Sequence, residues 1–166
     1  MTSLRRAAAF CLVLLGGVFA SGAHASGVEW KPFDQGLQDA SSKRKYSFVS
    51  VYTDWCGYCR KLDRETLRAE PVVAELKKHF VSVKLNAESD EQVTWKGKTM
   101  SKRDLALLWG VEGYPTMLFL NSKGEIIGKF PSYAEADLMI RLLTYISSGA
   151  RERNVSFEDY LKKEPS

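Results

Sequence analysis

Apolar and polar positions change their spacing repeatedly along the chain, and each change marks an element. Trp30 to Lys45 carries Phe33, Leu37 and Ala40 at helical spacing against a polar face, so a helix is expected there. Tyr46 to Tyr52 alternates with a period of two and is rich in aromatic and β-branched residues, the pattern of a strand. Gly57 to Glu70 returns to helical spacing. It is expected to break or end before Pro71, because proline disfavours helical backbone in the residue preceding it. Val72, Val73 and Leu76 carry an apolar helical stripe to Phe80, and Val81 to Leu85 reads as a second strand. A polar stretch follows, Ala87 to Met100, with a turn at Lys96-Gly97-Lys98.

Ser101, three residues before Asp104, is a good cap for a helix running through Trp109. Thr116 to Leu120 and Glu125 to Phe130, joined by Asn121-Ser122-Lys123-Gly124, read as a β-hairpin. Leu138, Met139, Leu142, Leu143 and Ile146 line one face of a helix that Gly149 can end. Ser156 caps a short last helix bearing Phe157, Tyr160 and Leu161. The order is βαβ, helix, antiparallel hairpin, helix. The expected fold class is α/β, a small mixed central sheet with helices on both faces.

The front of the chain reads differently. Arg5-Arg6, the apolar run Ala7 to Phe19 and the small-x-small site Ala23-His24-Ala25 follow the order of a secretory signal peptide. The run is shorter than the roughly 20 residues a bilayer span needs. The expected organisation is a leader over 1–25, one domain over 26–150, and a charged joint with a short helix over 151–166. The expected location is the periplasm.

Composition agrees with a folded domain: 45% of the 166 residues are apolar and 27% charged. Removing Arg5 and Arg6 from the 24 basic residues leaves near balance with the 20 acidic ones. No basic patch for nucleic acid is implied, and a nucleic-acid partner is not expected. Cys11 lies in the leader, so Cys56 and Cys59 remain, too few for a disulfide-stapled scaffold.

Trp55-Cys56-Gly57-Tyr58-Cys59 follows the first strand directly and opens a helix. Helix-opening amides favour negative charge, so Cys56 is placed to hold a thiolate. Cys59 lies one turn on, on the same face, near enough to pair with it and to resolve a mixed disulfide. A structural zinc site wants four ligands, and the chain after the leader offers two cysteines and His79. Covalent haem attachment wants histidine after the second cysteine, where Arg60 stands. No metal or cofactor is expected. A purely structural disulfide stays open as the alternative to a redox pair.

These residues resemble the thioredoxin superfamily over nearly the whole chain after the leader. Trp55-Cys56-Gly57-Tyr58-Cys59 matches the W-C-G-x-C motif. Gly110-Val111-Glu112-Gly113-Tyr114-Pro115-Thr116 is similar to the segment carrying the family's cis-proline, and Lys84-Leu85-Asn86 to the ending of its second strand. Trp30, Asp54-Trp55-Cys56 and the enlarged 87–100 loop look most like exported proteins of the SoxW type and the thioredoxin-like domains of disulfide interchange proteins. The resemblance implies a thioredoxin fold and thiol–disulfide exchange at Cys56 and Cys59. It implies support from Trp55, Gly57, Tyr58 and a cis Pro115, with Tyr114 pairing to an extended client strand.

Three departures qualify it. Ser50 stands where thioredoxins carry a buried aspartate that helps deprotonate the second cysteine, which leaves Lys84 without its expected partner. Asp63, one turn after Cys59, is a replacement candidate; its alternative is a solvated residue among Lys61, Arg64 and Glu65. The stretch from Asn86 to Gly110 is longer than in a minimal thioredoxin and contains Trp95, which either contacts a protein partner or pins a hairpin to the body. Pro131-Ser132 replaces a glycine common beside the family's substrate groove.

The expected function is a periplasmic reductase of disulfide-bearing client proteins, acting as a monomer and recharged by a membrane thiol relay. Trp55 and Gly57 resemble reducing members, and Tyr58 stands where strong oxidants carry histidine. An isomerase, and a binding or chaperone module without turnover, are the other readings.

Overall fold

The computed structural model describes residues 27–163. The expected leader, with Arg5, Arg6, Cys11 and the cleavage site at Ala25, lies outside the described residues. The sheet has five strands: β1 (Trp30–Lys31), β2 (Tyr46–Tyr52), β3 (Phe80–Asn86), β6 (Thr116–Leu120) and β7 (Ile126–Phe130). Their spatial order is β1-β3-β2-β6-β7. β1 and β2 run parallel to β3, while β6 is antiparallel to β2 and to β7, so the sheet is mixed as expected.

Alternation along β2 sends Phe48 to one face and Val49 and Val51 to the other. Both faces are covered. Phe48, Phe80 and Phe119 pack with Leu76 of α3 (Glu70–His79) and with Met139 and Leu143 of α5 (Ala136–Ser147). Val49, Val51, Val83 and Leu118 pack with Phe33 of α1 (Phe33–Ser42) and Leu105 of α4 (Lys102–Leu108). This double cover is why β2 reads Val-Ser-Val-rich through its centre and is buried from Ser47 to Val51.

Three expectations change. The helix expected from Trp30 begins at Phe33, because Trp30 and Lys31 pair with Ser82 and Val83 as an edge strand that Pro32 ends. The helix expected over 57–70 is α2 (Gly57–Lys61), continued by a π-helical turn (Leu62–Thr66), and it stops well short of the proline. Pro71 sits in the first turn of α3, where its missing N–H leaves no bond unmade, so it opens a helix instead of ending one. The polar stretch holds a second sheet, β4 (Gln92–Trp95) against β5 (Lys98–Ser101). Lys96 and Gly97 turn it with φ of 50° and 76°, the two left-handed positions that a two-residue hairpin loop requires.

Ser101 caps α4 by accepting from the Asp104 N–H at 3.0 Å. Gly149, at φ 72°, follows the end of α5. The last helix, α6 (Phe157–Leu161), docks on α5: Tyr145 meets the rings of Phe157 and Tyr160, both at 5.3 Å, and its hydroxyl donates to the Val155 carbonyl at 2.6 Å.

One contact sets how closely α1 approaches the sheet. Gly36 is buried in α1, and a Cβ there would stand 2.4 Å from Val83 Cγ2. Gly36→Ala should therefore reverse the usual helical preference for alanine. Overpacking of this kind costs about 1–3 kcal/mol, and the melting temperature should fall by roughly 3–10 °C in a thermal denaturation scan. A rise in melting temperature would show that α1 can move off the sheet freely.

Candidate redox-active site

β2 delivers the chain to the edge of the covered sheet, where Thr53 to Trp55 turn it into α2. The Cys56 N–H donates to the Thr53 carbonyl at 3.2 Å. Arg60 reaches back with Nη1 to the Asp54 carbonyl at 2.8 Å, and Asn86 Nδ2 donates to Asp54 Oδ2 at 3.2 Å. The turn is thus strapped from α2 and from the end of β3. Cys56 occupies the capping position of α2 with extended backbone, and its Sγ accepts from the Cys59 N–H at 3.0 Å. That is the bond a serine or aspartate cap makes, with sulfur in place of oxygen. Cys56 and Cys59 form a disulfide, their Cα atoms 5.3 Å apart.

The two cysteines are buried, and the aromatic residues beside them are not: Trp55 is 66% exposed and Tyr58 64%. Trp55 meets Tyr114 edge-on at 6.0 Å. This contact brings the Gly113-Tyr114-Pro115 loop against the cysteine segment, and the Tyr114–Pro115 peptide is cis, as the resemblance implied. Thr116 Oγ1 donates to the Gly113 carbonyl at 2.7 Å and closes the loop. On the other side Tyr58 faces Tyr133 at 6.2 Å, with Lys61 Nζ 4.6 Å from the centre of the Tyr133 ring. Sequence reasoning passed over Tyr133 and over Glu88, which accepts from the Trp55 indole N–H at 2.8 Å. Tyr133 follows Pro131-Ser132 closely, and that departure was the available pointer to it.

Trp95 is half-buried. It packs edge-on against Trp109 at 5.6 Å, while the Thr94 N–H donates to Asp34 Oδ1 at 2.8 Å. Burial of Val93 completes the anchor, so Trp95 pins the hairpin to the body.

Behind the disulfide the charge arrangement also differs from expectation. Ser50 is buried and stands opposite Lys84 in the β2–β3 register. Lys84 has found a partner in Asp63, whose Oδ2 accepts from its Nζ. The same ammonium lies 5.0 Å from the Trp30 ring centre and 5.2 Å from that of Tyr52. Asp63 is therefore turned toward the sheet, in the π-helical turn that follows α2. Glu65 takes the solvated role, pairing with Arg64 at 2.7 Å and Lys61 at 3.7 Å. The Tyr52 phenol is raised above its ordinary range, first by burial and then by the negative charges of Asp54, Asp63 and Glu91.

Comparison with known proteins agrees with this geometry. The family model of the thioredoxin-like domain matches residues 33–147. The chain is 33% identical over 99 residues to protein disulfide isomerase-like 5-2 of Oryza sativa subsp. japonica, covering 59% of this chain and 20% of that protein. It is 28% identical over 110 residues to protein disulfide-isomerase 5-2 of Arabidopsis thaliana, covering 66% and 22%. The chain thus spans about a fifth of the length of these relatives. Among solved structures it is similar to a thioredoxin-fold protein from Helicobacter pylori, with a TM-score of 0.62, 23% identity and coverage of 78% and 90%. It is also similar to a thioredoxin from Thermus thermophilus, with a TM-score of 0.61, 21% identity and coverage of 74% and 89%. With its sheet order, its cysteine-capped helix and its cis-proline loop in place, the chain belongs to the thioredoxin-like domain family.

Proposed function

We propose that this protein is a thiol–disulfide oxidoreductase that reduces disulfides on exported client proteins. The observation that carries the reading is the Cys59 N–H directed at Cys56 Sγ at the opening of α2. An amide donor and a helix terminus both favour the anionic form of that sulfur over the thiol. In the reduced protein the Cys56 thiolate attacks one sulfur of a client disulfide. A mixed disulfide forms and the other client sulfur leaves as a thiolate. Cys59 gives up its proton and attacks Cys56 Sγ, which releases the second client thiolate and closes the Cys56–Cys59 disulfide. Two electrons pass to the client.

Asp63 is the carboxylate placed one turn beyond Cys59 to assist that deprotonation. Trp55, Tyr58 and Tyr114 border the disulfide with aromatic surface, and Pro115 in the adjoining loop offers no N–H that could compete for the cysteines. The leader expected over 1–25 supports export to a periplasm, and a membrane thiol relay would supply electrons there. Trp30 and Asp54-Trp55-Cys56 support a place beside the exported SoxW-type proteins. The names of the plant relatives favour isomerase as the second reading. Release of a scrambled disulfide protein into its native pairing, without net reduction, would favour it over reductase.

Cys56→Ser should abolish reduction of a protein disulfide, a loss of at least about a hundredfold, because no thiolate remains to begin exchange. Cys59→Ser should instead accumulate mixed disulfides that gel electrophoresis resolves before and after added thiol. Wild-type activity retained in Cys56→Ser would favour a binding module. The reduction potential should fall near thioredoxin's value of about −270 mV and not near the oxidant end at about −120 mV, as measured against a glutathione buffer series.

Asp63→Asn should slow turnover several-fold near pH 7 while leaving alkylation of Cys56 unchanged, and the deficit should narrow as rising pH ionises Cys59 unaided. A pH-independent deficit, or none, would remove Asp63 from the resolving step.

A further inference from the structure

The outer edge of the sheet carries a cleft that the cysteine chemistry does not use. β7 is the last strand in the order, and its register against β6 slips once: Gly128 pairs with Phe119 and Ile126 with Leu120. Ile127 is therefore an extra residue, a β-bulge, which re-aims the chain around it. Its side chain packs with the cluster of Phe119 and Ile146, and its carbonyl accepts from Arg151 Nε at 2.8 Å.

Arg151 belongs to the segment that leaves α5 and turns back over it. That segment is tightly held. The Val155 N–H donates to the Ala150 carbonyl at 3.0 Å, the Tyr145 hydroxyl to the Val155 carbonyl at 2.6 Å, and Arg153 Nη1 to the Ser148 carbonyl at 2.9 Å. Between this segment, α5 and β7 a cleft of about 310 Å³ stays open.

Its composition is lopsided. Buried Phe119, Leu142 and Ile146 form the floor, and half-buried Ile127, Phe130 and Phe157 form walls that reach water. None of the described residues lining it is acidic. The nearby acids of α6 are directed elsewhere: Asp159 bonds the capping Ser156 and, like Glu158, pairs with Lys162. The Lys129 ammonium is engaged on the Gly110 carbonyl at 2.9 Å, which leaves Arg151 as the cation at the opening. Its one hydrogen bond to the Ile127 carbonyl fixes its position and leaves its charge unmatched. Concave apolar walls with one placed polar group are the usual make-up of a small-molecule site. A cavity of about 150 Å³ is enough for benzene, so this one has room for roughly ten carbons.

We propose that this cleft binds a free, single-chain apolar carboxylate, the chain lying between Phe130, Ile127 and Phe157 and the carboxylate meeting the Arg151 guanidinium. Cys56 and Cys59 do not line it, so the site stands apart from the oxidoreductase reading.

The test titrates decanoate, 1-decanol and butanoate into the protein in its disulfide form, followed by the methyl resonances of Ile127 and Ile146. Decanoate should shift both saturably and bind about fivefold more tightly than decanol at low salt, with the gap narrowing as salt is raised. Butanoate, six methylenes shorter, should bind at least about a hundredfold more weakly. Arg151→Gln should cost decanoate about fivefold and leave decanol unchanged, while Arg151→Lys keeps the preference. Ile127→Trp, which fills the cleft, should abolish binding of both; should it not fold, the Arg151 variants on the exposed rim still decide.

Absence of saturable shifts at these methyls would overturn the proposal. So would equal binding of decanol and decanoate by the wild type, or an Arg151→Gln variant with unchanged decanoate affinity. Shifts produced by raising protein concentration alone would assign the cleft to a second copy of the chain, and shifts seen with phosphatidylcholine vesicles but not with soluble decanoate would assign it to a membrane; either result also overturns the proposal.

Discussion

A single bond, from the amide of Cys59 to the sulfur of Cys56, ties the chemistry of this chain to its fold. It exists because Cys56 is the residue at which an extended strand becomes a helix, and the first amides of any helix lack partners within it. A serine in that place would cap the helix equally well but could not exchange electrons. A cysteine one residue later would lie inside the first turn, away from the converging N–H groups. The covered sheet fixes where β2 ends, that end fixes where α2 opens, and the opening fixes which sulfur faces an amide donor.

The rest of the site is arranged around the consequence that a buried disulfide must still be reached. Aromatic rings stand beside it on two sides, the exposed Trp55 with the half-buried Tyr114 and the exposed Tyr58 with the half-buried Tyr133. These rings come from three stretches of chain, and two of them meet a charged neighbour: the Glu88 carboxylate for Trp55 and the Lys61 ammonium for Tyr133. Apolar surface left in water is normally covered or used. Here it surrounds the one reactive bond among the described residues, and the enlarged loop after β3 contributes to its shape.

Legibility in the sequence followed the reach of each interaction. The strands Tyr46–Tyr52 and Thr116–Leu120 and the helix bearing Met139 and Leu143 are announced by their own apolar periods, since each buries a face against the core. Ser101 and Ser156 announce their helices because capping acts within three residues. Trp30–Lys31 gave no such notice: two residues are too few to show a period, and their strand character comes from pairing with Ser82 and Val83, distant in sequence. The β4–β5 hairpin is polar on its outer face and anchors through a few apolar residues, Val93, Trp95 and Met100, beside the Thr94–Asp34 bond, so composition hid it while the Lys96-Gly97 turn remained visible. At the site, the cysteine pair and the cis-proline were readable as local motifs. Glu88 and Tyr133 were not, because what makes them matter is a partner 33 residues away in one case and a ring on another element in the other.

The Lys84–Asp63 pair shows that charge balance, more than residue position, is what the interior demands. Lys84 lies in β3 between two covered strands, half-withdrawn from water, and an ammonium so placed needs a negative partner. Its nearest cross-strand neighbour, Ser50, can accept a hydrogen bond but carries no charge to offset it. The turn after α2 supplies the missing carboxylate from the opposite direction, and the rings of Trp30 and Tyr52 complete the enclosure. A carboxylate moved from the strand to the helix stays coupled to the same lysine, yet now travels with Cys59 on the same stretch of helix. Any motion of α2 that accompanies exchange at the cysteines would therefore act on the ion pair as well, which a carboxylate fixed in β2 would not feel.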